Sequence, residues 1–267
     1  MRGVVSMGML AALEAMGAGE VFDVIYGASA GAANAASFLA GQARAHVLAY
    51  PNDLASRRFF RITSRGPFVD VRYARDVMLE KYGLDIARVQ RHATTLHIAT
   101  TSVATGMCKW FSNHGPHLMD ALVASAALPA FYNRPVEING QGYLDGGVVE
   151  PLPVRRAIAD DATHVLVLST VPRTYRHKVR STMLERWARK RVKAFGDPFY
   201  QAFITRHAAY NDNLDIVFGR VKPASAVSVQ VIAPGRSIPI FERSKRKLLE
   251  AAWHGFAKVG EEFYTKP

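Results

Sequence analysis

Cysteine is almost absent: Cys108 is the only one in 267 residues. An intrachain disulfide is thereby excluded, which fits a reducing compartment. Cys108 lies between Met107 and Lys109 and reads as a filler residue, not as a nucleophile. Long apolar runs are lacking too, since none reaches the roughly 18–20 residues a membrane-spanning helix needs. Met1 to Gly19 imitates a secretory leader, with Arg2 ahead of a mostly apolar stretch. Glu14 interrupts that stretch, Arg2 is the sole basic residue, and no small-residue cleavage site follows, so a leader is not expected. Acidic side chains are in deficit, 22 against 34 Lys and Arg, for a net charge of +12. Such an excess attracts nucleic acid, anionic lipid surfaces or acidic substrates without choosing among them. Repeats, low-complexity segments and linkers are missing as well. A single domain over residues 1–267 is the expectation.

What is present is an ordinary globular composition, 49% hydrophobic. Val4 to Met16 reads as a helix, stopped by Gly17 and Gly19. Val21 to Tyr26 is a short β-rich run ending at Gly27, and Ala32 to Ala40 is a helix closed by Gly41. Arg57 to Arg72 reads as loops, with Gly66-Pro67 as a turn. Tyr73 to Tyr82 looks helical. Thr95 to Val103 is a strand candidate rich in β-branched residues. Leu118 to Ala127 is a helix ended by Pro129. Val165 to Thr170 and Val227 to Ile232 have the length and apolarity of buried strands. Strands alternating with helices predict an α/β fold, a three-layer α/β/α sandwich around a mainly parallel central sheet.

Two segments are unusual. Arg173 to Lys193 carries nine basic residues (Arg173, Arg176, Lys178, Arg180, Arg186, Arg189, Lys190, Arg191, Lys193) and one acid, Glu185, with Met183, Leu184 and Trp187 interleaved. A solvated helix over 173–196 and a basic amphipathic helix resting on anionic headgroups are equal readings. No nucleic-acid motif accompanies the charge, so a nucleic-acid partner is not expected. The tail, Glu242 to Tyr264, is amphipathic, with Leu249, Trp253, Phe256, Val259 and Phe263 on one stripe expected to dock on the body. Insertion of that stripe into a membrane is the lesser reading.

The chemistry-bearing motif is Gly27-Ala28-Ser29-Ala30-Gly31, a G-x-S-x-G pattern that a chain of this length contains by chance about one time in ten. Its context adds weight, because a strand precedes it and a helix follows. A tight strand-to-helix turn lifts the Ser29 hydroxyl above the sheet. Close packing of strand on helix leaves no room for side chains at positions 27 and 31. The helix beginning near Ala30 aims free N–H groups and its positive end at the site, with Ala30 N–H as an oxyanion donor. The plain alternative is a glycine-bounded turn with a serine cap. A serine needs a proton acceptor. Asp145 precedes Gly146 and Gly147, which let the loop approach another backbone and leave the carboxylate uncovered; alone, Asp-Gly-Gly is a common turn.

Ser125-Ala-Ala-Leu-Pro-Ala-Phe-Tyr-Asn-Arg-Pro-Val, followed by Asp145-Gly-Gly-Val-Val-Glu-Pro-Leu-Pro-Val, resembles the second sequence block of patatin-like phospholipases. The serine motif is similar to their first block. Met1-Arg2-Gly3-Val4 looks like the end of their glycine-rich oxyanion loop. The resemblance runs from Met1 to about Ile158. It implies a Ser–Asp dyad with Ser29 as nucleophile and Asp145 as base, and Arg2, Gly3 and Ala30 around the oxyanion. It implies a fatty acyl ester substrate, phospholipid or lysophospholipid, and no cofactor or metal. An ordinary aspartate, with a pKa near 3.9, is a weak base for serine, which puts weight on oxyanion stabilisation. The glycines and strand that precede the family's Arg are not in this sequence. A start upstream of Met1 is the expectation, because losing a strand from a parallel sheet exposes ladder groups. Glu150 stands where the family often has an amide.

A Ser-Asp-His triad is the mechanistic rival, and His164, His177, His207 and His254 all follow Asp145. Each reads as structural or solvated. His114, His117 and Asp120 lack partners for a metal. A non-catalytic lipid-binding protein on the same fold, and an acyltransferase using the same dyad, are the functional rivals. Cytoplasmic residence is the default expectation, with peripheral contact at the inner membrane surface added by the basic segment.

Overall fold

The computed structural model describes the chain except residues 64–65, 133, 179–181, 224–225 and 265–267. Arg180 of the basic segment and Asn133 of the second motif block therefore lie outside the described residues. In chain order the helices are α1 (Gly3–Ala15), α2 (Ala30–Leu39), α3 (Ala43–His46), α4 (Val71–Asp76), α5 (Ile86–Arg91), α6 (Leu118–Ala126), α7 (Val154–Ala159), α8 (Met183–Val192), α9 (Asp197–Val217) and α10 (Lys245–Tyr264). The strands are β1 (Val24–Ala28), β2 (Phe60–Thr63), β3 (Gly66–Val69), β4 (Thr95–Ser102), β5 (Cys108–Ser112), β6 (Val136–Ile138), β7 (Gln141–Asp145), β8 (His164–Leu168) and β9 (Ser228–Ile232).

The α/β class holds, with a mixed sheet. β1, β4, β7 and β6 lie side by side in that order, and β5 also pairs with β4. β1 runs parallel to β4, whereas β4–β5, β4–β7 and β6–β7 are antiparallel. A second parallel pair joins β8 to β9. β1 and β8 are not paired with each other; a cavity of about 1320 Å³ opens between them and reaches residues of both strands. The antiparallel β6–β7 hairpin follows from Asn139-Gly140, both at positive φ, the conformation a tight hairpin turn requires.

Gly66 and Pro67 belong to a strand, not to a turn. They pair with Thr63 and Ile62 in the β2–β3 hairpin, which replaces the loop expected over Arg57 to Arg72. β1 starts three residues later than the apolar run suggested, because a 3₁₀ turn occupies Ala18–Glu20 and the β4 ladder picks up only at Asp23 O. The long helix α9 was not apparent as a separate element.

α1 is buried on every side from Gly3 to Leu13 and acts as the central pillar. α10 crosses it at a distance only small residues allow. A Cβ on Gly8 would fall 2.0 Å from Ala252 O, and one on Gly255 would fall 2.2 Å from Val5 O. The tail stripe chosen by residue size is consequently rotated from the true one. The buried face of α10 is Leu248, Ala251, Ala252, Gly255 and Val259, while Leu249 and Trp253 are 48% and 69% exposed. Close crossing selects glycine and alanine at the point of contact; of the expected stripe Val259 is buried while Leu249 and Trp253 turn outward.

Gly255→Ala should therefore force the α1–α10 pair apart. The expected cost is about 2 kcal/mol or more, of the order of other overpacked core contacts, read as a lower urea midpoint. A midpoint equal to the wild type would mean the crossing is not tight.

Candidate active site

Sheet register sets the level of the two predicted residues. Ala28 at the end of β1 pairs with Ala99 of β4, and the next residue, Thr100, pairs with Asp145 at the end of β7. Ser29 and Asp145 thus emerge from strands flanking β4 at adjacent steps. Ser29 Oγ donates a 2.8 Å hydrogen bond to Asp145 Oδ2.

Ser29 itself sits at φ 55°, ψ −132°, a conformation a side chain adopts only under constraint. Its N–H donates to Ser125 Oγ at 2.8 Å, and its carbonyl accepts from Ala32 N–H at 3.1 Å as the first bond of α2. Gly27 is needed for space: a Cβ there would lie 2.6 Å from Ala32 Cα. Gly31 is not, since a Cβ at that position would meet nothing within 4 Å. The expectation that both flanking glycines are sterically required holds for Gly27 alone.

Asp145 is 2% exposed. Besides Ser29, its carboxylate accepts from Gly147 N–H at 2.6 Å. Its backbone is fixed by Asp145 N–H to Ala127 O and by Thr101 Oγ1 to Asp145 O. Gly146 lies against β4, where a Cβ would fall 2.1 Å from Ala99 O, and a Cβ on Gly147 would press on Oδ1 of Asp145 at 2.9 Å. Burial pushes the Asp145 pKa up to about 7, against the pull of the two hydrogen bonds from Ser29 and Gly147. The ordinary aspartate pKa near 3.9 assumed from the sequence does not hold here, because sequence carries no record of desolvation.

Of the three residues read as oxyanion neighbours, Gly3 and Ala30 abut each other. Gly3 is buried at the start of α1, and a Cβ on it would lie 2.6 Å from Cβ of Ala30 and 2.5 Å from Tyr50 Oη. Gly3 O accepts from Asn34 Nδ2 at 2.8 Å, and Tyr50 Oη donates to Asn34 Oδ1 at 2.9 Å, tying α1 to α2. Among the described residues Ala30 N–H has no acceptor, which leaves it free for a ligand oxygen. Arg2 Nε donates to Ile238 O at 3.2 Å, and its guanidinium lies over the Tyr175 ring. Arg2, Gly3, Ser29, Ala30 and Asp145 all line the large cavity, whose floor includes Met7, Phe38 and Leu122.

Ser125 and Asn34, which hold the Ser29 turn and α1 in place, were not singled out as site residues. Ser125 opened the second motif block and could have been read from it. Asn34 gave a weaker signal, an amide amid alanines. No histidine of the described residues bonds Ser29 or Asp145, so the triad is not formed. His254 Nε2 accepts from Gly235 N–H, and His114 bonds Gln90 O. No cluster of metal-ligating side chains occurs among the described residues. The half-buried Cys108 thiol is pushed up to about 12 by burial, far from a nucleophile's range.

The patatin-like phospholipase family model matches residues 1–158. The chain belongs to the patatin-like phospholipase family. It is also 28% identical over 176 residues to the uncharacterized protein YjjU of Escherichia coli (strain K12), covering 62% of this chain and 48% of that protein. The chain thus spans about half the length of this curated relative. Ser29 and Asp145 both lie within the matched region.

The raised pKa fixes a sign for stability. Asp145 binds its proton more tightly folded than unfolded, so wild type loses stability as pH climbs from about 4 through about 7. Asp145→Asn has no proton to lose. Its stability relative to wild type should grow by about 2 kcal/mol between pH 5 and 8, measured by urea denaturation at both. A constant difference would mean that Asp145 keeps an ordinary pKa.

Proposed function

We propose that this chain is a serine acyl hydrolase that releases fatty acid from phospholipid or lysophospholipid esters through Ser29 and Asp145. The observation that carries the reading is the 2.8 Å bond from Ser29 Oγ to a desolvated carboxylate whose pKa lies near 7. A base is most useful when its pKa matches the working pH. As Ser29 Oγ attacks the ester carbonyl, Asp145 takes the hydroxyl proton. Collapse of the tetrahedral adduct breaks the ester C–O bond, and Asp145 returns the proton to the leaving alcohol. Water then loses its proton to Asp145 while attacking the acyl-enzyme, and Ser29 is restored. Ala30 N–H, at the positive end of α2, and the neighbouring Arg2 and Gly3 stabilise the oxyanion. The apolar cavity floor accommodates the acyl chain.

Family membership supports a lipid substrate, and the constrained backbone of Ser29 fits a nucleophile held ready. Fatty-acid release from mixed phospholipid vesicles tests the reading. Ser29→Ala and Asp145→Asn should each lower the rate at least a thousandfold, as loss of a nucleophile or base does. Release that survives Ser29→Ala would remove the nucleophile assignment. A transferase would show acyl ester formation with an added alcohol in place of free acid. A lipid-binding protein would release nothing and leave Ser29 unlabelled by a serine-directed phosphonate.

Peripheral contact with anionic membranes belongs to the same reading. No helix of the described residues is long and apolar enough to cross a membrane. α8 instead exposes Met183 and Leu184 beside the exposed Arg186 and Lys190, while Trp187 turns inward onto Phe131. Cosedimentation with phosphatidylglycerol vesicles should fall steeply between 50 and 500 mM salt and weaken in Arg186→Glu/Lys190→Glu. Binding insensitive to both would rule this surface out.

A further inference from the structure

α10 carries two apolar faces, and the fold buries one of them. Leu248, Ala251, Ala252, Gly255 and Val259 are buried, and Ala252 and Gly255 make the crossing with α1. Leu249, Trp253, Phe256, Gly260 and Phe263 share a second face, about 100° around the helix from the first. Leu249, Trp253 and Phe263 are exposed, Phe256 is half-buried, and the exposed Tyr264 continues the stripe at its end. The Trp253 and Phe256 rings lie parallel, 4° between planes with centroids 5.4 Å apart. A contiguous exposed stripe of this kind, rich in aromatic residues, marks an interaction surface.

Spacing says what the stripe fits. Its residues follow one another at steps of 4, 3, 4 and 3. The mean repeat of about 3.5 is that of a coiled-coil seam, made to receive a second helix. Gly260 occupies one seam position, and a Cβ there would meet nothing within 4 Å, so an open notch separates Phe256 from Phe263. Charge selects the partner and its direction. Lys245, Arg246 and Lys247 begin the helix, and Glu261 and Glu262 stand near its end. An antiparallel second copy lays the basic start of each helix over the acidic end of the other and opposes the two helix dipoles. Parallel pairing would bring like charges together. Along the flank Arg246 pairs with Glu250 at 2.5 Å, and Lys258 pairs with Glu261. That balance of sign gives an anionic bilayer little to hold.

We infer that α10 pairs with α10 of a second copy of this chain, as an antiparallel two-stranded coiled coil. The seam closes in one register, with Trp253 of each copy against Phe256 of the other. Leu249 then enters the Gly260 notch, and Arg246 lies over Phe263. Each contact occurs twice, as a two-fold axis requires. From Leu249 to Phe263 the seam is about 21 Å long, two heptads, so the dimer is concentration-dependent. The pairing is independent of the chemistry proposed for Ser29 and Asp145, whose residues lie outside α10.

Sedimentation velocity of the full chain from about 5 to about 200 µM follows the monomer–dimer balance. The wild type should shift to dimer over that range, with tryptophan emission moving to shorter wavelength. Trp253→Glu should stay monomeric, with far-ultraviolet circular dichroism like the wild type's. Register is tested by Leu249→Cys and Gly260→Cys, each made together with Cys108→Ser. A disulfide should form when the two variants are mixed and in neither alone. In the antiparallel pair the two copies of position 249 stand about 16 Å apart along the axis, beyond disulfide reach. Self-cross-linking of Leu249→Cys would overturn the antiparallel order. A wild type that is monomeric at the highest concentration, or a Trp253→Glu variant that still dimerises, would overturn the pairing. A monomer whose tryptophan emission is quenched by brominated lipid in neutral vesicles would assign the stripe to a membrane instead.

Discussion

Asp145 is a carboxylate removed from water and offered two hydrogen bonds, one from Ser29 and one from Gly147. Neither cancels the cost of desolvation, so the proton stays on until the pH is near 7. Much of the local architecture serves to keep that arrangement. β4 lies between the strands that carry the two residues. Gly146 lets the Asp145 loop lie on the β4 backbone, and Gly27 lets α2 start close to β1. Ser125 on α6 holds the Ser29 amide. α1, clamped by α10, presses Gly3 against Ala30.

Stability and the proposed chemistry pull in opposite directions at Asp145. A neutral amide would satisfy the pocket without the desolvation cost, and a solvated aspartate would be too acidic to accept a serine proton near neutrality. The strained φ of Ser29 is a similar local cost, sustained by the hydrogen bonds of the turn and the start of α2. Such costs have to be balanced by the rest of the fold. Here α1, buried from Gly3 to Leu13, and its close glycine-mediated crossing with α10 supply much of the compensating packing.

Ser29 was singled out by its glycine-bounded strand-to-helix turn, and Asp145 by the resemblance to patatin-like phospholipases, since Asp-Gly-Gly alone reads as a common turn. The close backbone approaches at Gly27 and Gly146 agree with the residue types found there. α1 followed from periodicity, α2 from small apolar residues closed by Gly41 and β4 from its β-branched residues, whereas α9, 21 residues long, was not apparent. Periodicity failed where size and packing conflict. On α10 Leu249 and Trp253 face solvent because the close crossing with α1 is centred on Ala252 and Gly255, which turns a different face inward. The β2–β3 hairpin was hidden by Gly66-Pro67, whose turn signal gave way to pairing with β2. The shifted pKa of Asp145 depends on burial and on contacts between distant segments, which composition and spacing do not encode.

The account turns on Ser29 being activated by a buried base, and the pH dependence of covalent labelling measures that directly. An alkyl fluorophosphonate is allowed to react with the protein, and adduct formation is followed by mass spectrometry of the intact chain and its peptides. The account predicts a single adduct on Ser29 whose rate rises with pH to a plateau, with an apparent pKa near 7. An adduct on another residue, or a Ser29 rate that does not change across that range, would contradict it.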